Sequence, residues 1–379
     1  MDRPNPLGGL VTEGPTAIEP GFGSFVSRVA VPIRHGMTLG ELALLFNSTS
    51  FVGADPDNPS QRALATDDLR VVRLKRWRRE MAWEDTRLPW VPPSPNVPSP
   101  TSALAYAGTC LLEATNVCEG RGTTTPFELI GAPWADYRLA NEMNRREPIR
   151  EPNGSLGSLG ARVDARRRDN DATRRKKKAL KKGSSSVRDA NGRWTRSMET
   201  RTKQPAPPCV WREAHFTPSW GKEKDVPCVG AAALFSRRDD DDARASFASR
   251  ALFLEGVEVL LALKKLYPRA FQWREGPGAR SNPTSPASAA SRPDTRSSRV
   301  ARGSARARVL ASPTKVSSRS RKASPPPFID LLTGSPGLRL ALDGAADPEQ
   351  RRLAVERERE KWEKQLLAFE KSRRDALLY

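Results

Sequence analysis

The sequence predicts an α/β protein whose folded body is interrupted twice by strongly basic segments. Helical patterns of apolar residues alternate with short runs of β-branched residues, which favours mixed layers of helix and sheet. The formal net charge of the 379-residue chain is +20. Residues 148–208 carry +11 of this charge and residues 276–325 carry +10. The basicity therefore belongs to these two segments and not to the folded body.

Both basic segments are predicted to be disordered insertions. They are rich in Arg, Lys, Ser and Pro, and they have too few apolar side chains to offset the entropy of ordering the backbone. Long insertions in surface loops cost little stability, because closure entropy rises only with the logarithm of length. We interpret the segments as solvated spacers. The alternative is that they tether an anionic partner such as nucleic acid.

The first hundred residues contain two strand candidates and one helix. Residues 24–33 and 69–74 are short runs rich in β-branched residues, and each is predicted to form a strand. Between them, Thr38 and Glu41 stand three residues apart, as in a capping box that opens a helix. The apolar residues that follow recur at helical spacing at Leu42, Leu45 and Phe46.

A proline-rich loop at residues 77–100 carries Trp77, Trp83 and Trp90. A loop of this length in a compact domain is usually functional or connects domains. We interpret the three tryptophans as packing between domains rather than as ligand platforms. Trp90 and the later Trp134 are nevertheless candidates for aromatic faces that cover a sugar ring.

The second half of the sequence predicts two strands and three helices. Two short strands joined by a loop are predicted within residues 211–235, and a buried helix within residues 250–268. Ser335 is the expected N-cap of a further helix, with Pro336 at its first position. A long charged helix near the end of the sequence carries an apolar stripe at Trp362, Leu366 and Phe369.

Cysteine and histidine usage gives no indication of a metal site. The four cysteines stand at no metal-binding spacing, and the two histidines, His35 and His215, are far apart in the sequence. Cys110 and Cys118 are predicted to be free, buried thiols. The sequence has no apolar run long enough for a membrane helix and no apolar signal core at its start, and it leaves the compartment open.

Residues 113–134 are unusually dense in carboxylates, amides, hydroxyls and glycines for so basic a chain. Sugars are held by carboxylates and amides that grip their hydroxyls, and glycoside cleavage requires two carboxyl groups beside the scissile bond. Glu113 and Glu119 are candidates for these catalytic carboxylates. The alternative is an ordinary strand–loop–strand whose Glu and Thr side chains face water.

Several motifs resemble the exo-β-N-acetylmuramidase family, a peptidoglycan-recycling family of glycoside hydrolases. They follow the family's order and cover most of the sequence outside the basic segments. The longest are DRPNPLGG at 2–9, PIRHGMTLGELALLFN at 32–47, WRREMAWEDTRLPWVPPSPNVPS at 77–99, GTCLLEATNVCEGRGTTTPFELIGAPW at 108–134, FTPSWGK at 216–222, FIDLLTGSPGLRLAL at 328–342 and WEKQLLAFEKSRRDALLY at 362–379.

This resemblance implies a two-part fold with a cleft between the parts. Residues 1–100 are expected to be the remainder of a Rossmann-like domain and its connector. A smaller C-terminal α/β domain is expected from residues 101–147, 209–275 and 326–379. Family members remove terminal N-acetylmuramic acid from peptidoglycan-derived glycans, often outside the cytoplasm, and the resemblance implies no metal or organic cofactor. The oligomeric state is left open.

The resemblance also implies which side chains line the cleft. From the Gly108–Trp134 motif these are Glu113, Asn116, Glu119, Arg121 and Thr123. Arg121 is expected to meet a substrate carboxylate, such as the lactyl group of muramic acid. The alternative for Arg121 is an internal salt bridge with Glu113 or Glu119.

Four further substrate-binding candidates come from the N-terminal motifs. Asp2, Arg3 and Asn5 belong to the DRPNP sequence, which is expected at the carboxyl end of a strand, where doubly wound sheets bind ligands. Their alternative role is to stabilise a turn. His35 is expected to touch substrate, and its alternative is a loop residue with satisfied hydrogen bonds.

The sequence departs from the family pattern at its start. The family has a Pro-Glu-His-Gly motif before DRPNP, whose Glu is a leading candidate for the catalytic acid, and this sequence contains no such motif. We therefore expect the chain as written to bind sugar but to be impaired or inactive as an enzyme. The alternatives are a working hydrolase that relies on Glu113 and Glu119, and a non-catalytic sugar-binding or nucleic-acid-tethered protein.

Overall fold

The structure is a computed structural model, and it describes residues 1–48, 69–145, 209–235, 251–276 and 325–379. The two predicted insertions lie outside the described residues, apart from the edge positions Gly276 and Pro325. The helices are α1 (Leu39–Asn47), α2 (Pro100–Thr109), α3 (Arg138–Arg145), α4 (Leu252–Leu266), α5 (Phe328–Thr333), α6 (Gly337–Asp343) and α7 (Pro348–Ser372). The strands are β1 (Leu129–Ala132), β2 (Val210–Phe216) and β3 (Cys228–Leu234).

The three strands form one antiparallel sheet in the order β1-β3-β2. Leu129 of β1 lies opposite Ala232 of β3, and Phe216 of β2 lies opposite Cys228 at the hairpin end. The central strand has the small-residue sequence CVGAAAL, so its neighbours approach closely. The two strands predicted within residues 211–235 are confirmed as β2 and β3.

Helix α4 forms the centre of the core, as its nearly all-apolar sequence predicts. Phe253, Leu260 and Leu263 are fully buried, and α2, α3, α6 and α7 pack around the helix. Its two carboxylates are buried with partners. Trp211 Nε1 donates to Glu255 over 2.6 Å, and Arg352 binds Glu258 through two hydrogen bonds of 2.9 and 3.0 Å.

The predicted capping box is confirmed at the start of α1. The Glu41 amide donates to Thr38 Oγ1 over 3.2 Å, and the Thr38 amide donates back to the Glu41 carboxylate over 3.0 Å. The buried Asp2 carboxylate reinforces this helix start, because it accepts from Gly40 N at 2.6 Å and from Thr38 Oγ1 at 2.7 Å. Tyr379 donates its hydroxyl to the same carboxylate at 2.8 Å, so the last residue of the sequence holds the N-terminal segment in place.

The long charged helix is also confirmed. Asp347 caps α7 by accepting from Gln350 N at 2.8 Å, and Pro348 occupies its first turn. The stripe of Trp362, Leu366 and Phe369 is buried against the rest of the body. Among the described helices, none is both long and apolar enough to span a membrane.

Three local predictions differ from the structure. Residues 24–33 and 69–74 are not strands. In the first segment, Ser24 and Ser27 exchange backbone hydrogen bonds within a turn instead. In the second, Val72 O accepts from Asp2 N over 3.0 Å, but no ladder develops from this bond. Helix α6 begins at Gly337, one residue later than predicted, although Ser335 Oγ still accepts from Gly337 N at 3.4 Å. The described fold is nonetheless α/β, as predicted.

Candidate functional site

A cavity of about 510 Å³ opens between the N-terminal segment and the body formed by the later residues. One wall comes from the DRPNP sequence and the start of α1, and the opposite wall comes from the proline-rich loop, α2 and the loop after it. Most of the lining is apolar, with a few polar side chains among it. The residues that define its character are Arg3, Asn5, Leu7, Ile33, His35, Met37, Leu42, Trp90, Val97, Tyr106, Arg121 and Phe127.

Arg121 lines this cavity and binds two carboxylates, the half-buried Glu113 and the buried Glu119. Its Nη2 lies 2.9 Å from Glu113 Oε1, and its Nη1 lies 3.2 Å from Glu119 Oε1. The Arg121 side chain is 27% exposed, compared with 18% for Glu113 and 3% for Glu119. Burial acts to lower the pKa of Arg121, but the two carboxylates outweigh it and raise the pKa, so the guanidinium is charged throughout the physiological range.

Lys222 holds Glu119 from the opposite side. Its Nζ lies 2.7 Å from Glu119 Oε2 and also donates to the carbonyls of Leu112 and Val117, at 2.6 and 2.7 Å. Burial lowers the pKa of Lys222, while the Glu119 carboxylate acts in the opposite direction. Glu119 is thus held between two cations, whereas Glu113 has one cationic partner among the residues that the structure describes.

The loop that carries Arg121 owes its shape to two glycines. Gly120 and Gly122 have φ angles of +77° and +83°, in the left-handed region that glycine adopts most readily. A Cβ on Gly122 would lie 2.7 Å from Trp220 N and 3.0 Å from Ser219 N. The sequence Gly-Arg-Gly therefore presents Arg121 on a tight turn, against which the backbone of the β2–β3 loop packs directly.

Aromatic rings support the guanidinium from the cavity side. Arg121 Cζ lies 5.0 Å from the centre of the Phe127 ring, a cation–π distance. Tyr106 packs edge-on against Phe127, with ring centres 4.8 Å apart. Both rings line the cavity, which gives this region an apolar floor beside a fixed positive charge.

The predicted site residues fall into two groups. Arg3, Asn5, His35 and Arg121 line the cavity. The other five predicted residues do not line the cavity: Asp2, Glu113, Asn116, Glu119 and Thr123. Two of the five, Glu113 and Glu119, reach the cavity indirectly through their contacts with Arg121.

The other three have polar groups engaged within the protein. The Asp2 carboxylate caps α1, as described above. Asn116 donates to Ala270 O at 2.8 Å and accepts from Gln272 N at 2.9 Å. Thr123 donates its hydroxyl to Gly120 O at 2.6 Å. In this structure all three therefore stabilise the backbone around the site.

The tryptophans singled out by the sequence take different positions. Trp90 lines the cavity, donates to Val97 O at 3.1 Å and packs edge-on against Trp83 at 5.1 Å. Trp77 packs edge-on against Tyr379, also at 5.1 Å. Trp134 contacts Tyr267 on the core and is not part of the cavity lining. Trp90 is thus the tryptophan of this set that faces a possible ligand.

The cysteines are free and buried, as predicted for Cys110 and Cys118. Burial raises the pKa of the Cys110 thiol to about 12 and that of the Cys118 thiol to about 11, so neither is a reactive thiolate at neutral pH. Among the described residues, no group of three or more His, Cys, Asp or Glu side chains is arranged to hold a metal ion.

His35 is predicted to make the folded protein less stable as the pH falls. Burial, together with the nearby charge of Arg373, lowers the pKa of His35 to about 4. Because Met37 N donates to its Nδ1 at 3.1 Å, the neutral ring carries its proton on Nε2. The unfolded chain takes up this proton near pH 6.5 and the folded chain only near pH 4, so stability from this group is present above pH 6.5 and is lost on acidification.

We expect His35→Asn to remove this sensitivity, since the Asn side-chain oxygen can still accept from Met37 N. Urea unfolding at pH 7 and pH 5 measures the effect. Between these two pH values the free energy of unfolding of the wild-type protein should fall by about 2 kcal/mol more than that of the variant. Equal losses for wild type and variant would show that His35 does not titrate in this way.

Sequence reasoning missed four residues that shape the site: Tyr106, Phe127, Trp220 and Lys222. Lys222 and Trp220 stand in the FTPSWGK motif, but nothing in that motif indicates a partner about a hundred residues earlier. Phe127 could have been identified, because it stands in the same motif as Arg121.

An α/β fold whose cavity combines apolar and aromatic walls with a few fixed polar groups is the arrangement typical of proteins that bind small, partly polar ligands. The chain belongs to the NamZ exo-β-N-acetylmuramidase family. The profile of the family's N-terminal domain matches residues 1–101, and that of its C-terminal domain matches residues 104–152 and 189–379.

Two relatives show the extent of the similarity. The chain is 51% identical over 134 residues to the peptidoglycan β-N-acetylmuramidase NamZ of Bacillus subtilis, a match that covers 35% of this chain and 29% of that protein. The crystal structure of a DUF1343 family protein from Bacteroides fragilis matches with a TM-score of 0.56 and 20% identity. That match covers all of this chain and 65% of the Bacteroides chain, so this chain spans less than two thirds of the length of either relative.

Proposed function

We propose that this chain binds the terminal N-acetylmuramic acid residue of peptidoglycan-derived glycans in the cavity beside Arg121, for exo-acting hydrolysis of its β-glycosidic bond. The observation that carries the proposal is the position of Arg121, which lines the cavity while two carboxylates hold its guanidinium. Membership of the muramidase family and the activity named for the Bacillus relative support the same reaction.

Arg121 fits the feature that distinguishes muramic acid from other amino sugars. N-acetylmuramic acid is N-acetylglucosamine with a lactyl ether, which adds one carboxylate. A guanidinium binds a carboxylate through two parallel hydrogen bonds, and the Phe127 ring keeps that guanidinium at a fixed place on the apolar floor. The apolar lining suits the methyl groups of the acetyl and lactyl substituents.

The two carboxylates beside Arg121 then take different roles. Glu119 is held by Lys222 as well as Arg121 and is almost fully buried, so we assign it to positioning the guanidinium. Glu113 is more exposed and has Arg121 as its cationic partner. An incoming lactyl carboxylate competes with Glu113 for Arg121, and the displaced Glu113 becomes available to act on the glycosidic oxygen or on water.

The test is a binding comparison followed by a hydrolysis assay. Calorimetric titration of the full chain should show N-acetylmuramic acid binding at least tenfold more tightly than N-acetylglucosamine, since a hydrogen bond to a charged group contributes about 1.5–3 kcal/mol. Arg121→Gln should abolish this preference. The matched control Arg138→Gln should retain it, because Arg138 lies on the surface with Asp136. A chromogenic N-acetylmuramic acid glycoside then tests whether this chain, whose sequence contains no Pro-Glu-His-Gly motif, hydrolyses the bond, and Glu113→Gln should reduce any release at least a hundredfold.

The outcomes separate the alternatives. Absence of any preference for N-acetylmuramic acid in the wild-type chain would overturn the proposed site. Binding with no release of chromophore above that of an enzyme-free blank would favour a sugar-binding protein without catalysis. Hydrolysis that Glu113→Gln leaves unchanged would remove Glu113 from the catalytic role and leave the binding role of Arg121 intact.

A further inference from the structure

Trp220 stands out among the aromatic residues because it is exposed and still lies next to the site. It sits in residues 217–227, the loop between β2 and β3, and is 47% exposed. Tryptophan is highly buried on average. Within the described part of the chain, the Trp220 ring stacks on no other aromatic ring.

The backbone that presents Trp220 is held firmly. Ser219 N donates to Gly122 O at 2.8 Å, and Asp225 N donates to Pro218 O at 2.8 Å. Lys222, two residues further on, is fixed by Glu119 and two carbonyls as described above. Glu223 and Asp225 have φ angles of +54° and +60°, which are costly for residues other than glycine and persist where the surroundings impose them.

The same backbone lies against the Arg121 turn. A Cβ built on Gly221 would be 3.8 Å from Arg121 Cβ, and one built on Gly122 would be 2.7 Å from Trp220 N. The backbone of Trp220 therefore lies against Gly122, and Gly221, the next residue, lies beside the base of the Arg121 side chain. An indole on a fixed backbone has only two side-chain torsions to order, so it loses little conformational entropy on binding, and it offers a flat apolar face to a sugar ring.

We propose that Trp220 forms a second sugar subsite, in which its indole stacks on the sugar that follows the terminal N-acetylmuramic acid. Trp220 is then a specificity-determining residue, because it contributes to the binding of a disaccharide and not of the monosaccharide. This inference rests on the proposed function, since the terminal sugar must occupy the cavity beside Arg121 for its neighbour to reach Trp220.

The experiment compares two ligands by calorimetric titration of the full chain. They are N-acetylmuramic acid and the disaccharide N-acetylmuramic acid–β-1,4–N-acetylglucosamine with sulfur in place of the glycosidic oxygen, which resists the hydrolysis proposed above. We expect wild-type protein to bind the disaccharide more tightly. Trp220→Ala should weaken disaccharide binding about tenfold, as loss of an aromatic contact of about 1.4 kcal/mol predicts, and should change monosaccharide binding less than twofold.

Two further variants serve as controls. Trp220→Phe keeps an aromatic face and should retain most of the disaccharide preference. Tyr137→Ala removes another exposed aromatic residue, one outside the cavity lining, and should change neither affinity. Thermal unfolding of each variant checks the fold, which should be unaffected because it is the backbone of Trp220 that packs against Gly122.

Each outcome bears on the inference. If Trp220→Ala weakens both ligands equally, or weakens neither, the second subsite is refuted while the site beside Arg121 stands. A wild-type protein that binds both ligands with the same affinity refutes it as well. If wild-type protein binds neither ligand, the proposed function fails and the subsite fails with it.

Discussion

Gly256→Ala is expected to destabilise the protein by about 3 kcal/mol, because α2 and α4 cross with their backbones in direct contact. A Cβ on Gly256 would lie 2.8 Å from Gly108 Cα and closer still to the Gly108 carbonyl. In the other direction, a Cβ on Gly108 would lie 2.8 Å from Gly256 N. These contacts are with backbone atoms of a helix, so no side chain can rotate away to relieve them.

The sign of this effect is not obvious from helix propensity alone. Alanine is more favourable than glycine in a helix interior by about 1 kcal/mol, and Gly256 lies well inside α4. The clash outweighs this gain, because relieving it requires the two helices to separate and opens the core around Phe253 and Leu252. The cavity beside Arg121 should be disturbed as well, since α2 supplies Ala103, Tyr106 and Ala107 to its wall.

Urea unfolding of wild type and variant measures the effect, and Gly23→Ala is the matched control. A Cβ on Gly23 would meet one atom, Ile18 Cγ2, at 4.0 Å, so this variant should stay within about 0.5 kcal/mol of wild type. If Gly256→Ala is as stable as Gly23→Ala, the close crossing of α2 and α4 does not exist in solution.

Elements whose signals are local were predictable from the sequence. The capping box of α1 lies within four residues, and the apolar run of α4 identifies a buried helix without reference to the rest of the chain. The strands β2 and β3 pair with each other across an eleven-residue connection, so most of their ladder is also local.

The failed strand predictions have a physical cause. Residues 24–33 and 69–74 have strand-like composition, but β-propensity measures how well a residue fits a pleated surface beside a neighbouring strand. In the described structure, neither segment has such a neighbour along its length. Composition indicates that a segment can form a strand and does not indicate whether a partner is present.

In the candidate site, too, features within one motif were predictable, whereas roles that depend on distant partners were not. The Arg121 turn, with its glycines and the nearby Glu113 and Glu119, lies within one motif and was identified from the sequence. Asp2 and Asn116 were identified as polar residues of the right type, but whether such a side chain faces a ligand or bonds the backbone depends on partners far away in the sequence. Asn116 bonds Ala270 and Gln272, a pairing that no local pattern reveals.

Lys222 is the clearest case of a long-range partner, and replacing it should have the second large effect. We expect Lys222→Met to destabilise the protein by about 3 kcal/mol, because removing one member of a buried ion pair leaves the Glu119 carboxylate only partly compensated, by the longer 3.2 Å contact with Arg121. The Lys222 side chain is 12% exposed and that of Glu119 is 3% exposed. Two backbone carbonyls also lose their lysine donor.

A double-mutant cycle with Glu119→Gln isolates the ion pair from the other contacts. The double variant should be more stable than the sum of the two single changes predicts, because it has no buried carboxylate that has lost its lysine partner. Lys224→Met is the matched control from the same loop. Lys224 is largely exposed and lies 3.7 Å from Asp225, so its replacement should change the free energy of unfolding by less than about 0.5 kcal/mol.

The cycle also distinguishes two roles for Lys222. If the lysine only offsets the charge of Glu119, the double variant should regain both stability and the preference for N-acetylmuramic acid. If the lysine also anchors the loop that carries Trp220, the double variant should regain part of its stability while disaccharide binding stays weak, since Leu112 O and Val117 O still lack the donor that fixes the loop. Equal stability of Lys222→Met and Lys224→Met would contradict both roles and would mean that Arg121 alone holds Glu119 in place.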